Sequence, residues 1–219
     1  VPTEPEAYSQ DIVVNDLYLL LNHLGIEQAH IGGLSMGGNA TLNFGIAHPE
    51  MARSLIVASA GSGSSDREKF LASSKIFTDR LLAEGIEVPG TEYAHGNTRV
   101  QLLRKDPQGY AEFLRLFLAH NNVSAALTFR EYVMARPTVY ALEEKLRALQ
   151  VPTLIMIGDE DEPCVDPAVF MKRTIPRSGL VVFPQSGHAI NLEEPDLFNR
   201  AVMDFLTAVE ADRWAERPA

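Results

Sequence analysis

A G-x-S-x-G motif lies early in the chain, in the residues Gly33, Leu34, Ser35, Met36 and Gly37. The stretch 28–33 predicts a short strand before Ser35, and the small residues that follow, up to His48, predict a helix. A serine on such a sharp strand-to-helix turn is typical of a nucleophile, and we expect Gly33 and Gly37 to be needed because side chains there would collide. The amide of Met36, at the start of the helix, is expected to donate a hydrogen bond to a developing oxyanion. A serine that only caps a helix is the plainer alternative, and a phosphate loop would need a Lys-Ser/Thr pair after the glycines.

A serine hydroxyl needs a base before it can attack a carbonyl, and histidine is the usual base near neutral pH. Of six histidines, His188 lies in a loop after the predicted strand 180–183 and before the last predicted helix. That loop belongs to the carboxyl edge of a parallel sheet, as does Ser35. The other histidines are expected to be structural or surface residues, although the last two could touch a substrate: His23, His30, His48, His95 and His120.

An acid that orients the base is expected in the acidic loop 158–163, which follows the apolar stretch 152–157. Asp159, Glu160, Asp161 and Glu162 all lie there, and periodicity does not rank them. For all but one of them, a solvated acidic turn is the expected state.

The elements around these residues alternate between strand and helix, which predicts an α/β fold with a parallel sheet. Ser9 is a candidate N-cap for a first amphipathic helix that ends near Gly25. Further strands are predicted at 54–60, 152–157 and 180–183, and a closing helix carries Phe198, Val202, Phe205 and Leu206.

The tract from Gly61 to about Pro137 has helical patterning and no convincing strand. It begins with a flexible Gly/Ser junction, and Pro89 with Gly90 is expected to break its helices apart. We interpret it as an inserted helical cap, with helices at 66–84, 107–120 and 122–135. The predicted organisation is core at 1–61, cap at 62–136 and core at 137–219.

Composition narrows the possible partners. The 219 residues carry a net charge of −10, which argues against binding to nucleic acid or anionic membranes. A neutral or mildly polar small-molecule substrate fits this charge better. Cys164 is the single cysteine, and no Cys/His cluster has metal-binding spacing, so we expect no disulfide, metal or cofactor. No signal peptide or membrane span is recognised, and a cytoplasmic location is the default expectation.

The order Ser35, Asp161, His188 along the chain resembles that of the α/β-hydrolase superfamily, particularly its capped esterase and lactonase members. The resemblance extends over the whole chain. The family's G-x-x-D pattern matches Gly158 to Asp161 and selects Asp161 over Asp159. Its Gly-His pair before a helix matches Gly187 and His188, with Glu194 and Pro195 following. A rarer placement of the acid, after the preceding strand, would point to Asp66 instead.

The chain departs from the pattern of the family it resembles in two respects. The strands and the His-Gly-type loop that normally precede the first helix, and that supply a second oxyanion donor, are absent from this chain. We therefore expect an upstream segment of roughly 60 to 90 residues, or a second copy of the chain, to cover an open edge of the sheet. In relatives that hydrolyse carbon–carbon bonds, Trp typically follows the catalytic histidine, whereas Ala189 follows it here.

The resemblance implies a serine hydrolase that cleaves a carboxylic ester or lactone of a small apolar or aromatic substrate through an acyl-enzyme on Ser35. A carbon–carbon bond hydrolase and a ligand-binding protein without activity are the alternatives. Cap Arg115 and Arg130 could meet an anionic group, so the charge of the substrate stays open. Aromatic side chains of the cap such as Phe70 and Phe77 could also line the pocket, and the expected substrate contacts are Leu34, Phe113, Phe117, Tyr132 and Met134.

Overall fold

Four parallel strands form one sheet in which their spatial order is their order along the chain. The structure is a computed structural model and describes residues 1–216. Each strand lies within two residues of a range predicted from the sequence, because each is a short apolar run between turn residues. The strands are β1 (Ala29–Leu34), β2 (Ala52–Ala58), β3 (Thr153–Gly158) and β4 (Ser178–Phe183).

Helices cover both faces of the sheet, as the alternation of side chains along a parallel strand requires. Ile155 and Ile157 of β3 pack into one core cluster with residues of the helices α1 (Gln10–His23), α2 (Met36–Ala47) and α9 (Glu162–Thr174). Leu154 and Met156 point the other way, into a second cluster against the C-terminal helix α11 (Pro195–Glu210). This layered arrangement is the α/β-hydrolase fold expected from the sequence, with a parallel sheet.

The chain between β2 and β3 is helical throughout its ordered elements. The name cap refers to its residues 62–136, whose role as a cap stays a prediction. Pro89 and Gly90 do not separate two helices as expected: they lie in the first turns of one helix, where the missing proline N–H is not needed. The break lies instead at Gly85, whose φ is +82°. The domain boundaries stay predictions, and the end of the second core segment at 219 lies outside the described residues. The helices are α3 (Arg67–Glu84), α4 (Glu87–Ala94), α5 (Val100–Lys105), α6 (Pro107–Leu118), α7 (Asn122–Leu127), a π-helical turn (Thr128–Val133), a 3-10 turn (Tyr140–Leu142) and α8 (Glu143–Ala148).

Strand β1 lies at one edge of the sheet. It pairs with β2 on its inner side and, within residues 1–216, with no strand on its outer side. Coverage of this edge by an upstream segment or by a second copy stays a prediction. A helix with the length and apolar character needed to cross a bilayer is not found among the described residues.

Candidate active site

Ser35 lies in the turn between β1 and α2 with φ 58° and ψ −111°. A positive φ is unusual for a residue with a side chain and is typical of strained functional turns. The amide of Ser35 donates to the carbonyl of Ala58 (2.8 Å), and its carbonyl accepts from the amide and the side chain of Asn39 (3.0 and 2.9 Å). These three bonds hold the strained backbone, so the serine hydroxyl projects from a fixed turn at the carboxyl edge of the sheet.

The glycines around Ser35 differ in how much space surrounds them. A Cβ built on Gly33 would lie 2.3 Å from the carbonyl carbon of Gly37, so the strand and helix converge too closely there for any side chain. A Cβ on Gly37 would meet no atom within 4 Å, and the predicted collision at this position is therefore wrong. The second crowded position is Gly38, where a Cβ would lie 2.8 Å from the carbonyl oxygen of Ala58.

A chain of hydrogen bonds connects Ser35, His188 and Asp161. The distance between His188 Nε2 and Ser35 Oγ is 2.7 Å, and the distance between His188 Nδ1 and Asp161 Oδ2 is also 2.7 Å. Asp161 is 1% exposed and His188 is 8% exposed, so the hydrogen bond between them is shielded from bulk water. A proton on Nδ1, bound to the carboxylate, leaves Nε2 as the acceptor for the serine hydroxyl. The structure thus brings together the three residues selected from the sequence.

The other carboxylates considered from the sequence have different partners. Asp66 caps α3 by accepting from the amide of Lys69 (3.2 Å). Asp159 accepts from the amide of Ser186 (3.1 Å), and Glu160 accepts from the side chain of Gln101 (2.7 Å). Unlike these three acids, Asp161 hydrogen-bonds to the His188 ring.

Two glycines allow close approaches around the His188 loop. A Cβ on Gly158 would lie 2.3 Å from the carbonyl oxygen of Ser186, so this glycine lets the Asp161 loop approach the His188 loop. A Cβ on Gly187 would lie 2.4 Å from the carbonyl oxygen of Thr98, so this glycine lets the His188 loop approach the segment between β2 and β3. Side chains at these two positions would push the His188 loop away from each of these neighbours.

The backbone of the His188 loop is held from two sides. The carboxylate of Glu193 accepts from the amides of Gly187 (2.6 Å) and Ala189 (2.9 Å), the residues that flank the histidine. The His188 amide itself donates to the carbonyl of Thr98 in the cap (2.7 Å). Glu193 is buried, and burial raises its pKa, although the two amide hydrogen bonds oppose that shift. Sequence reasoning did not single out Glu193, which is one of many carboxylates in the closing segment.

Met36 is the first residue of α2, where a backbone amide has no acceptor within the helix. Its carbonyl accepts from the hydroxyl of Tyr132 (3.0 Å), which ties the start of α2 to the π-helical turn of the cap. The position is compatible with an oxyanion donor beside Ser35, and this role stays a prediction.

A cavity of about 460 Å³ opens onto Ser35 and His188. Cap residues form much of its wall, with Phe70, Phe77 and Phe129 supplying apolar surface. A pocket of this size has room for a small-molecule group next to the serine hydroxyl.

The five residues expected to contact a substrate do not belong to this wall. Phe113 and Phe117 line a separate apolar depression with Leu192, and Leu34 packs against the core on the α11 side of the sheet. Helical spacing identifies an apolar face, but it does not tell which face of a helix between β2 and β3 points at Ser35. Phe70 and Phe77 do line the cavity, whereas the remaining two expected contacts are not among its lining residues: Tyr132, whose hydroxyl bonds to Met36, and Met134.

The side chain of Cys164 lies beside the acid and the base. Ligand atoms of Asp161, Cys164 and His188 fall within 4.8 Å of one another, which is close enough to surround a metal ion. Burial is the main cause that raises the pKa of the Cys164 thiol well above its usual value, which favours the protonated thiol over a metal-binding thiolate. Asp161 and His188 are also already bonded to each other, so this set fits an acid–base pair better than a metal site.

The comparison with known families agrees with the fold and with this geometry. A family model described as alpha/beta hydrolase fold matches residues 1–195. The chain belongs to the α/β-hydrolase family.

Relatives of this α/β-hydrolase carry several different activities in their names. It is 26% identical, over 213 residues, to a putative 2-succinyl-6-hydroxy-2,4-cyclohexadiene-1-carboxylate synthase of Bacillus subtilis, covering 95% of this chain and 76% of the relative. It is 28% identical, over 211 residues, to 2-hydroxy-6-oxononadienedioate/2-hydroxy-6-oxononatrienedioate hydrolase 2 of Pseudomonas putida, covering 90% and 68%. A thermophilic esterase from Thermogutta terrifontis has a similar structure, with a TM-score of 0.77, 26% identity and coverage of 92% and 73%. Names of hydrolases and esterases among the relatives support hydrolase activity in general.

Two arginines of this α/β-hydrolase were missed by sequence reasoning. Arg99 and Arg136 line the cavity, whereas Arg115 and Arg130, the arginines considered from the sequence, do not. Arg115 pairs with Glu112, and Arg130 pairs with Asp79. Acidic residues one helical turn away from Arg115 were the available signal that its charge is already balanced.

Proposed function

We propose that this protein is a serine hydrolase that cleaves a carboxylic ester or lactone of a small apolar or aromatic substrate through an acyl-enzyme on Ser35. The observation that carries the proposal is the continuous hydrogen-bond chain from Ser35 Oγ through the His188 ring to Asp161. A chain of this kind makes an ordinary alcohol nucleophilic because the base accepts its proton as the new bond forms.

In the proposed reaction, Ser35 Oγ attacks the substrate carbonyl while its proton moves to His188 Nε2. Asp161 orients the ring through Nδ1 and stabilises the imidazolium that forms. The imidazolium then gives its proton to the leaving alkoxide oxygen as the ester C–O bond breaks, which leaves the acyl group on Ser35. A water molecule attacks the acyl-enzyme with His188 again as base, and the acid product leaves with the serine hydroxyl restored.

Negative charge on the carbonyl oxygen develops near the start of α2. The Met36 amide is proposed as one donor to this oxyanion, since it lies at the helix N-terminus, where unpaired amides and the helix dipole favour negative charge. The bond from the Tyr132 hydroxyl to the Met36 carbonyl supports a fixed orientation of this segment.

The apolar part of the cavity wall supports a small acyl or aromatic substrate. Phe77 stacks on Tyr93 and makes an edge contact with Phe129, so three aromatic rings form one packed surface. All three belong to the wall of the cavity beside Ser35.

A second candidate function is hydrolysis of a carbon–carbon bond in a vinylogous diketone. The observation that favours it is the 28% identity to the hydrolase of Pseudomonas putida, over 90% of this chain. The same serine and histidine would act on a ketone carbonyl. Ala189, where relatives with that activity typically carry Trp, weighs against it.

The proposal is tested by labelling with a fluorophosphonate, which reacts with activated serines, and by hydrolysis of 4-nitrophenyl esters of increasing chain length and of simple lactones. We expect stoichiometric labelling at Ser35 and turnover of short-chain esters. Ser35→Ala should abolish labelling and lower kcat on the order of 10³-fold or more without loss of the folded state. The matched control is Ser65→Ala, which replaces an exposed serine outside the cavity wall. This variant should keep both the labelling at Ser35 and the wild-type kcat.

Absence of labelling in a folded protein, or equal turnover by Ser35→Ala, would contradict the mechanism. Turnover of a ring-cleavage diketone with no turnover of esters or lactones would favour the second candidate function.

A further inference from the structure

Arg136 is a buried cation in the wall of the cavity. Its side chain lies at the end of the cap segment, and the residue is only 5% exposed. Its guanidinium donates hydrogen bonds through one nitrogen, Nη2, to the carbonyl (3.2 Å) and the hydroxyl (3.3 Å) of Ser62. Within residues 1–216, Nε and Nη1 have no protein acceptor.

Carboxylate partners are also missing around this guanidinium. Within the described part of the chain, no ion pair includes Arg136, Arg99 or the neighbouring Arg67. Arg67 donates to the carbonyls of Arg136 and Met134, which adds a second positive charge near Arg136 without neutralising it. Among residues 1–216, Asp161 is the one carboxylate in the cavity wall, and its Oδ2 is bonded to His188.

Buried charges in proteins are normally paired, because removing an ion from water without a partner is strongly unfavourable. Burial lowers the pKa of the Arg136 guanidinium, which is the expected result of this environment, although arginine stays protonated in proteins. Arg136 lies in the wall of the cavity beside Ser35, and it has the Tyr132 ring (5.9 Å) and Ser62 as neighbours but no anionic partner among residues 1–216. A substrate can provide that anion.

Arg99 adds a second cation to the same wall. Its guanidinium lies 4.1 Å from the centroid of the Tyr93 ring and donates to the Tyr93 hydroxyl (2.7 Å) and to the hydroxyl of Thr98 (3.1 Å). These contacts fix the direction of the side chain and leave its charge without a counterion.

We infer that Arg136, assisted by Arg99, forms an anion subsite in this cavity, and that the substrate is an ester or lactone carrying a carboxylate. The inference rests on the proposed function for the reaction at Ser35. It narrows the substrate class to apolar esters or lactones that carry a carboxylate at one end. A planar carboxylate matches the donors that Arg136 has free. The aromatic surface of the cavity holds the apolar remainder.

The test uses two pairs of substrates that differ in charge and little in size. One pair is the 4-nitrophenyl monoester of glutaric acid and 4-nitrophenyl pentanoate, with the charge on the acyl group. The other is 4-acetoxybenzoate and phenyl acetate, with the charge on the leaving group. We expect a higher kcat/KM for the anionic member of at least one pair. A wild-type protein with no such preference in either pair overturns the inference.

Arg136→Gln should lower kcat/KM for the preferred anionic substrate on the order of 10- to 100-fold, the effect of losing hydrogen bonds to a charged group. It should leave the neutral member within about threefold, because a neutral substrate does not use the charge. Arg136→Lys should recover part of the preference. A purely structural role of Arg136 would instead lower both members of a pair equally, and that result overturns the inference.

Arg99→Gln should lower the anionic preference by a smaller factor, and it serves as the second variant if Arg136→Gln does not fold. The matched control is Arg115→Gln, an exposed arginine outside the cavity, which should change nothing.

Binding separates this inference from the proposed function. Calorimetry of glutarate and benzoate with Ser35→Ala should show binding of at least one, weakened about tenfold or more by the added Arg136→Gln substitution. If fluorophosphonate labelling fails but this difference is found, the proposed function falls and the anion subsite stands. Labelling at Ser35 together with equal binding by both proteins overturns the subsite and leaves the function intact.

Discussion

Around Ser35, the same few residues have to accommodate both a strained backbone and close packing between strand and helix. The positive φ of Ser35 turns the chain sharply enough for the hydroxyl to project toward His188, and the same turn presses β1 against α2. Gly33 lies at the point of closest approach, directly against the carbonyl of Gly37. Gly37 has free space on its own Cβ side. The motif thus contains one glycine that is required by packing and one that is not.

This difference gives a matched pair of variants. Gly33→Ala should destabilise the protein by at least about 2–3 kcal/mol, because the new methyl group cannot fit without separating strand and helix. Gly37→Ala should be neutral or stabilise by up to ~1 kcal/mol, since alanine is preferred in a helix. Urea denaturation followed by circular dichroism measures both. Equal destabilisation by the two substitutions would show that a side chain at position 37 meets an obstacle that the structure does not contain.

Single residues differed in how well the sequence revealed them. Ser35 and His188 could be predicted because each lies in a short local pattern next to a strand end, and Asp161 because family resemblance ranked the acids of one loop. Arg136 could not be predicted, because one arginine in a helical tract looks like any other until the cap is folded over the site. Its lack of a carboxylate partner is a three-dimensional property.

At the scale of elements, the segment around α5 forms hydrogen bonds with the loops that carry Asp161 and His188. The Thr98 carbonyl accepts from the His188 amide, and Gln101 donates to Glu160 in the acid loop. Lys105 donates to the hydroxyl of Ser186 (2.8 Å), two residues before His188. Together with the close contact at Gly187, these bonds make the cap part of the support of the acid and base loops.

The short helix α10 (Ile190–Glu193) makes the stability of the protein depend on pH through Glu193. Because burial raises the pKa of this carboxyl in the folded state, folding takes up a proton in the range above its ordinary value of 4.5. The stabilisation is complete below the unfolded pKa and is lost as pH rises through the folded pKa. The free energy of unfolding of the wild type should therefore fall over this range relative to that of Glu193→Gln, which does not titrate.

Urea denaturation of both proteins at several pH values from about 4 to 8 measures the difference. A constant offset between them is also expected, because a glutamine has one carbonyl oxygen for the two amides that Glu193 accepts. The control is Glu112→Gln: the bond to Arg115 lowers the pKa of this exposed carboxyl, so its contribution has the opposite sign and is weakened by solvent. If the free energies of unfolding of wild type and Glu193→Gln changed with pH in parallel, the raised pKa of Glu193 in the folded state would be contradicted.

Elements were predicted well where the pattern was long or strongly apolar. The four strands and the helices α3 and α6 fall close to their expected ranges. Short helices such as α4, α5 and α8 were missed because six to eight residues give too little periodicity, and Pro167 in the interior of α9 conceals that helix in the sequence. The predicted helix 122–135 changes to a π-helical turn at Thr128, a transition without a sequence signal.

For the whole molecule, Cys164 lies where one of the two core clusters meets the loops that carry Asp161 and His188. This residue is fully buried in the cluster shared by β3, α2 and α9, and its Sγ lies 3.7 Å from the carbonyl oxygen of Ser59. It also lies within 4.8 Å of the ligand atoms of the acid and the base. Any opening that exposes this thiol must therefore disturb both the core and the catalytic loops.

The single thiol consequently reports on global unfolding. Because its burial raises its pKa and blocks access, native protein should react with a disulfide reagent such as 5,5′-dithiobis(2-nitrobenzoate) only as fast as it unfolds. The extent of fast labelling at increasing urea should follow the loss of circular dichroism, with Cys164→Ala as the blank. Rapid stoichiometric labelling of native protein would mean that the acid and base loops separate from the core without global unfolding. In that case the 2.7 Å contact between Asp161 and His188 would have to break and reform while the rest of the protein stays folded.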